Sequence, residues 1–142
     1  MFLISHRGNT NGSYKEKENS PSYINETLDI GYDVEIDVWN INKIWFLGHD
    51  YPSHKIDIKF LMNSKLLCHA KNVAALDQML AHTNIHCFYH EDDPYTITSR
   101  GYIVSYPGYE TTSKTICMKP ELARPDLDCY AICSDYVALF KQ

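Results

Sequence analysis

Short apolar segments bounded by polar residues recur along the whole chain. Their content of aromatic and β-branched residues is typical of strands. In one segment the apolar positions alternate with Glu35 and Asp37, so both carboxylates are expected on one face of a strand. The segments that we predict as strands are Phe2–Ser5, Asp33–Trp39, Ile44–Leu47, Leu66–Ala70, Ile85–Tyr89, Tyr95–Thr98, Tyr102–Tyr106, Ile116–Met118 and Tyr130–Cys133.

Helical spacing is confined to the first half of the chain. Ser20 precedes a proline as an N-cap residue would, and the apolar Ile24 and Leu28 that follow lie four residues apart. The predicted helical segments are residues 21–31, residues 73–81 and a weaker turn that starts at residue 57. Strands and helices therefore alternate in the first half, which predicts parallel βαβ units there, whereas the second half lacks an amphipathic helix.

Histidines, carboxylates and basic residues gather at the carboxyl ends of these predicted strands. A purely structural protein has no reason to concentrate such residues there, whereas α/β barrels build their active sites at that end of the strands. The residues in question are His6-Arg7-Gly8, Glu35, Asp37, Gly48-His49-Asp50, His69, Lys71, His90-Glu91-Asp92-Asp93 and Ser134-Asp135.

Composition narrows the possible classes of protein. A chain of 142 residues with 44% hydrophobic and 22% charged residues predicts one globular domain over residues 1–142. The formal net charge of -5 provides no general attraction for nucleic acid, so we expect no nucleic-acid partner. No apolar run approaches the roughly 20 residues of a transmembrane segment, and the N-terminus does not resemble a secretory signal. The five cysteines lack a CxxC spacing and lie mostly in apolar runs, which predicts buried thiols and a cytoplasmic location.

Four of the polar elements occur in an order that resembles the glycerophosphodiester phosphodiesterases, which belong to the phosphatidylinositol-phospholipase-C-like superfamily of TIM barrels. The resemblance is dense over residues 2–50, thin over residues 66–71, and ends with a serine-aspartate pair at the last strand. The four elements are His6-Arg7-Gly8, Glu18-Asn19-Ser20, the Glu35-x-Asp37 pair after Gly31, and Gly48-His49-Asp50.

The resemblance implies a role for each matching residue. His6 and His49 match the two histidines that perform acid–base catalysis, for which an unperturbed pKa of about 6.5 is suitable. Arg7 matches the arginine that binds the phosphate, and Lys71 matches a lysine near it. Glu18 is expected to support the histidine-arginine element by hydrogen bonding. In this superfamily the nucleophile is usually the substrate's own neighbouring hydroxyl, which gives a cyclic phosphate first.

The same resemblance implies one divalent metal ion, usually magnesium or calcium, bound by Glu35 and Asp37. The family has a glutamate as a third ligand where this chain has His69. Histidine is a poor ligand for calcium and magnesium and suits manganese or zinc better. Three alternatives follow: His69 binds a different metal, a carboxylate from residues 91–93 replaces the glutamate, or the metal site is weak.

The fold implied is a compacted TIM-like (β/α) barrel with reduced helices in the C-terminal half. Such barrels usually take about 250 residues, whereas eight strands in 142 residues leave about 18 per unit. The alternative is an incomplete or flattened barrel. Missing helices would leave apolar sheet surface uncovered, and a homodimer is the simplest way to cover it.

The function expected from these observations is metal-dependent hydrolysis of a small phosphodiester, of the glycerophosphodiesterase type and therefore within lipid metabolism. Two alternatives remain open. The first is a catalytically weak or inactive barrel that binds a phosphorylated ligand, which the short chain and His69 would favour. The second is a cyclising, phospholipase-D-like lyase that ends at the cyclic phosphate.

Overall fold

The computed structural model describes residues 1–123 and 128–141. Within them the strands are β1 (Phe2–His6), β2 (Asp33–Ile41), β3 (Ile44–Leu47), β4 (His54–Ile56), β5 (Leu66–Ala70), β6 (His86–Tyr89), β7 (Tyr95–Ile97), β8 (Ile103–Ser105), β9 (Thr115–Met118) and β10 (Ala131–Ser134). The α-helices are α1 (Pro21–Asp29), α2 (Ile58–Leu61) and α3 (Val73–Leu80), and two 3-10 helices span Pro120–Leu122 and Val137–Phe140.

The helix signals of the sequence are confirmed. The Ser20 hydroxyl accepts a hydrogen bond from the backbone N–H of Tyr23 at the start of α1. The Asn72 side chain caps α3 in the same way, and Asp57 caps α2. Of the strands, β4 is not predicted, because its three residues are mostly polar. It forms as the antiparallel neighbour of β3.

The main sheet has the strand order β6-β5-β2-β1-β10-β9-β8-β7. All neighbours in it are parallel except β7 and β8, which are antiparallel. The carboxyl-terminal half of β2 also pairs with β3, so that β3 and β4 form an antiparallel extension beside the main sheet. In the part of the chain that the structure describes, no strand ladder joins β6 to β7.

The prediction of a TIM-like (β/α) barrel is wrong. The sheet is mixed and curls into a half-barrel, and within the described residues only three short α-helices accompany it. Chain length explains the difference, because a parallel crossover needs a dozen or more residues. Only five residues, 98–102, separate β7 from β8, so these strands form a hairpin and β7 runs antiparallel to its neighbour.

Two apolar layers hold the curled sheet together. The outer layer lies between the sheet and the helices, and includes Ile24 of α1, Ile36 of β2 and Met79 of α3, all fully buried. The inner layer joins residues from strands that are far apart in the sheet, which requires the sheet to curl around them. Its members are Ile4, Leu67, Phe88, Val104, Ile116, Met118, Ala131 and Cys133.

Two expectations from composition can be compared with this fold. Four of the five cysteines are buried, as expected for small apolar side chains: Cys68, Cys87, Cys117 and Cys133. Among the described residues, none of the helices combines the length and the apolar character that crossing a membrane requires.

Candidate active site

The strand registers bring the predicted site residues together. On β1 and β2, His6 lies directly opposite Glu35. On β2 and β5, Asp37 lies directly opposite His69. Side chains two residues apart share a face of a strand, and neighbouring strands are less than 5 Å apart, roughly 4.8 Å. These four side chains therefore meet above the inner apolar layer, at the carboxyl ends of the strands.

A cavity of about 570 Å³ opens at this end of the sheet, and we call it the site cavity. Six of the eight predicted site residues line it, together with residues of the loops after β6, β8 and β9. The lining consists of His6, Arg7, Glu35, His49, His69, Lys71, His90, Glu91, Asp92, Tyr106, Pro107, Met118 and Lys119. Of the other two, Asp37 is fully buried beside Glu35, and Glu18 lines an adjoining cavity of about 480 Å³ that shares Arg7 and His49 with the first.

His6 is held by a carboxylate that follows β10. Its Nδ1 lies 2.7 Å from Asp135 Oδ1, which also accepts a hydrogen bond of 2.8 Å from Asn9 Nδ2. The second oxygen of Asp135 lies 3.2 Å from Lys119 Nζ. Burial alone would raise the pKa of Asp135, but the hydrogen bond from His6 and the surrounding groups lower that pKa well below its usual range. An ionised Asp135 fixes the Nδ1–H tautomer of His6 and leaves Nε2, which lies 4.0 Å from Glu35 Oε1, as the reactive nitrogen.

Arg7 is fixed between two carboxylates. Its Nη1 donates a 3.1 Å hydrogen bond to Glu18 Oε1, and its Nε lies 3.1 Å from Asp37 Oδ2, at ion-pair distance but without hydrogen-bond geometry. Asn19 orients Asp37 from both sides, because its amide donates to Oδ2 and its oxygen accepts from the Asp37 backbone N–H, each at 2.9 Å. The role expected for Glu18, supporting the histidine-arginine element, is compatible with this contact.

Glu35, Asp37 and His69 form a group that we call the carboxylate–histidine cluster. One ligand atom from each residue can be chosen such that all lie within 4.8 Å of one another. His69 Nδ1 lies 3.3 Å from Asp37 Oδ1 and 3.7 Å from Glu35 Oε2. Donor atoms about 2.0–2.2 Å from a tetrahedral zinc ion would lie about 3.4 Å apart. The cluster thus has the spacing of groups that share one cation.

The electrostatics of the cluster favour positive charge at its centre. Burial would lower the pKa of His69, yet its interactions with Asp37 and Glu35 raise that pKa to about 9. Burial would raise the pKa of Asp37, yet His69 and Arg7 lower it well below its usual range. Glu35 Oε1 and Asp37 Oδ1 are buried and have no hydrogen-bond partner among residues 1–123 and 128–141. Two buried carboxylate oxygens without donors fit a cation, so the residues present are suited to a metal ion.

His49 and Lys71 lie at the rim of the site cavity. The residue before His49 must be glycine, because a Cβ at Gly48 would lie only 2.1 Å from the backbone oxygen of Tyr51. The His49 side chain is 42% exposed, and its Nδ1 lies 2.8 Å from Asp50 Oδ1. Lys71 follows β5 directly, where its backbone N–H donates a hydrogen bond to the Val38 oxygen. Both side chains are therefore accessible to a ligand in the cavity.

Four residues of the site have no role in the sequence analysis: Asn9, Asn19, Lys119 and Asp135. In the sequence, Asp135 belongs only to a strand-end pair, and Asn19 belongs only to a motif. Lys119 directly follows the predicted strand 116–118, so the rule that selected the other strand-end residues would also have selected it. Nothing in the sequence indicates that Asn9 hydrogen-bonds Asp135, because this contact depends on the loop after β1.

The chemistry that these groups can perform follows from the geometry. An oriented imidazole, a cation-binding cluster and several basic side chains surround one open cavity. Such a set can bind an anion, neutralise additional negative charge and transfer a proton.

Comparisons of the chain with protein-family models, with curated proteins and with solved structures find no match.

Proposed function

We propose that this protein is a metal-dependent phosphodiesterase of the glycerophosphodiesterase type, acting on small phosphodiesters in the site cavity. The observation that carries the proposal is the pair formed by His6 and Asp135, which lies next to the carboxylate–histidine cluster. A general base and a cation site, side by side under an open cavity, are what cleavage of a phosphodiester requires. A binding protein would need only the basic side chains.

Substrate binding depends on the basic side chains around the cavity. A phosphodiester is anionic and gains negative charge at its oxygens as it reacts. Arg7 is already close to two carboxylates, so part of its charge is compensated. Lys71 and Lys119 on the cavity wall supply further positive charge. When bound by the cluster, a divalent ion such as magnesium, calcium, manganese or zinc would polarise the phosphoryl oxygens and neutralise their charge.

Proton transfer is the task of the two histidines. His6 takes the proton of the attacking hydroxyl at Nε2, and Asp135 stabilises the imidazolium that forms by its hydrogen bond to Nδ1. His49 donates a proton to the leaving oxygen, and its partial exposure allows water to restore that proton. The attacking group is either a neighbouring hydroxyl of the substrate or water. The first gives a cyclic phosphate and the second a linear one.

A second candidate function is binding of a phosphorylated ligand without turnover. The observation that favours it is the position of His49, which lies on a surface turn and contacts the exposed Asp50. A histidine held in this way is less well oriented than His6. In this case the basic side chains would bind phosphate, and the cluster would have no catalytic role.

Steady-state kinetics with a panel of glycerophosphodiesters test the proposal. Metal-free protein would be assayed with magnesium, calcium, manganese and zinc in turn, and the product identified as a linear or a cyclic phosphate. We expect turnover that falls by about 10²- to 10⁴-fold in His6→Gln and in His49→Gln, as for loss of an acid–base group. His82→Gln, outside the site cavity, is the matched control and should keep full activity. Phosphate binding without turnover in the wild type would instead support the second candidate, and an accumulating cyclic product would identify a lyase.

A further inference from the structure

The orientation of the His69 ring is set by two contacts outside the cluster. Its Nε2 lies 3.1 Å from the backbone oxygen of His90. Because a carbonyl oxygen can only accept, Nε2 must carry the hydrogen of this bond. The ring also stacks on Phe88, with centroids 4.7 Å apart and planes 16° from parallel. These contacts leave Nδ1 as the nitrogen that is directed at the carboxylates.

The atoms that face Nδ1 are acceptors. Asp37 Oδ1 and Glu35 Oε2 are 3.3 and 3.7 Å away, on side chains whose residues are 0% and 1% exposed. Asp37 Oδ1 and the other Glu35 oxygen lack hydrogen-bond partners in the described part of the chain. Buried anionic oxygens and an imidazole nitrogen directed at one point need a cation there, either a proton on Nδ1 or a metal ion that takes the place of this proton.

We propose that this cation is a transition metal of the zinc, cobalt or manganese class, held through His69 Nδ1, and not calcium or magnesium. The inference rests on the proposed function only in taking the cluster as its metal site; it concerns which ion the site selects. Calcium takes six to eight oxygen ligands, whereas the buried set here offers two carboxylates and one nitrogen. Imidazole nitrogen favours first-row transition metals over these hard cations.

In the described part of the chain, the group of residues close enough to share one ion contains two carboxylates and no third. Glu91 and Asp92 line the site cavity but are exposed at its rim, and Glu91 accepts a hydrogen bond from the Tyr89 hydroxyl. The hydrogen bond of His69 to a backbone oxygen is the kind of contact that fixes the tautomer of a metal-binding histidine. The buried donor set is therefore built around a nitrogen.

Direct binding measurements on the metal-free full chain test this inference without an activity assay. Calorimetry would be run with zinc, cobalt, magnesium and calcium salts separately, on wild type, His69→Glu and the control His82→Gln. We expect the wild type and the control to bind zinc and cobalt most tightly. In His69→Glu the affinity for these two ions should fall by at least about tenfold, the smallest loss usual even when only a residue that hydrogen-bonds a metal ligand is changed, while magnesium or calcium affinity rises. Equal ion preference in wild type and His69→Glu would overturn the inference.

A second measurement on the wild type alone keeps the test valid if His69→Glu fails to fold. Long-range proton–nitrogen NMR of the imidazoles should show that zinc shifts the Nδ1 resonance of His69 while Nε2 keeps its hydrogen. Zinc binding that leaves both His69 nitrogens unshifted would overturn the inference. A protein that binds zinc through His69 but cleaves no phosphodiester would support it and refute the proposed function. Phosphodiesterase activity in a protein that binds magnesium or calcium most tightly would support the proposed function and overturn this inference.

Discussion

Replacing Asp135 by asparagine should disable His6 as a base while leaving the cavity in place. The carboxylate accepts from His6 Nδ1 at 2.7 Å and from Asn9 at 2.8 Å, and it lies 3.2 Å from Lys119. When the asparagine oxygen faces Lys119, in the place of Asp135 Oδ2, its NH₂ group takes the place of Oδ1 and is directed at His6 Nδ1. His6 must then accept at Nδ1 and carry its hydrogen on Nε2, so it cannot take a proton from the attacking group.

The size of the loss follows from this buried contact. A hydrogen bond to a charged group contributes about 1.5–3 kcal/mol, which corresponds to roughly 10- to 150-fold in kcat if the bond stabilises only the imidazolium. The reversed tautomer adds to this loss, up to about 10⁴-fold for a comparable histidine–aspartate pair. We therefore expect kcat of Asp135→Asn to fall by about 10²- to 10⁴-fold with little change in KM.

The assay is steady-state kinetics on the best glycerophosphodiester, with circular dichroism and urea unfolding to establish that the variant is folded. Asp29→Asn, at the exposed end of α1, is the matched control for loss of one carboxylate and should behave as wild type. A folded Asp135→Asn protein with wild-type kcat would refute the assignment of His6 and Asp135 as a catalytic pair.

Three further predictions concern other parts of the molecule. Burial and the charge of Arg100 lower the pKa of His86 to about 4, so between pH 6.5 and 4 the unfolded chain binds a proton that the folded chain does not. The free energy of unfolding should therefore fall as the pH falls through this window, by about 1–2 kcal/mol after allowance for the partial exposure of His86. Urea titrations should show a weaker pH dependence of this free energy in His86→Gln. Lys119→Met should raise KM for a phosphodiester more than Lys119→Arg does, because the cavity wall loses a positive charge; equal KM values would contradict a role in binding phosphate. No helix of residues 1–123 and 128–141 covers the outer face at β7 and β8, and Ile97 is 65% exposed there. We therefore expect a dimer by light scattering and a monomer for Ile97→Lys; a monomeric wild type would contradict the expected homodimer.

The local elements of this fold were predictable because their signals lie within a few residues. The cap formed by Ser20 and the alternation around Glu35 each need only one turn or one strand to take effect. Closure of the sheet depends instead on whether each connection can cross from one strand to a parallel neighbour. The five-residue connection between β7 and β8 cannot, and the spacing of the predicted strands 95–98 and 102–106 already implies this limit.

For the candidate site, too, the sequence predicts some features and not others. Residues at strand ends could be selected from the sequence, because parallel strands end at one edge of a sheet. Contacts that depend on register or on loop conformation could not. Asp37 meets His69 through the pairing of β2 with β5, and Asp135 meets His6 through the pairing of β1 with β10. These pairings join residues that are up to 129 positions apart, for which the sequence carries no local signal.

Phosphorus NMR tests most directly whether the chain is a metal-dependent phosphodiesterase. Metal-free protein would be mixed with a glycerophosphodiester and incubated without metal or with magnesium, calcium, manganese or zinc, in parallel with His6→Gln. Excess chelator would be added before each spectrum, because bound manganese broadens phosphorus resonances. We predict that the diester resonance persists without metal and, with manganese or zinc, is replaced by a product resonance in the wild type but not in the variant. An unchanged diester resonance with magnesium, calcium, manganese and zinc alike, or equal conversion by His6→Gln, would contradict it.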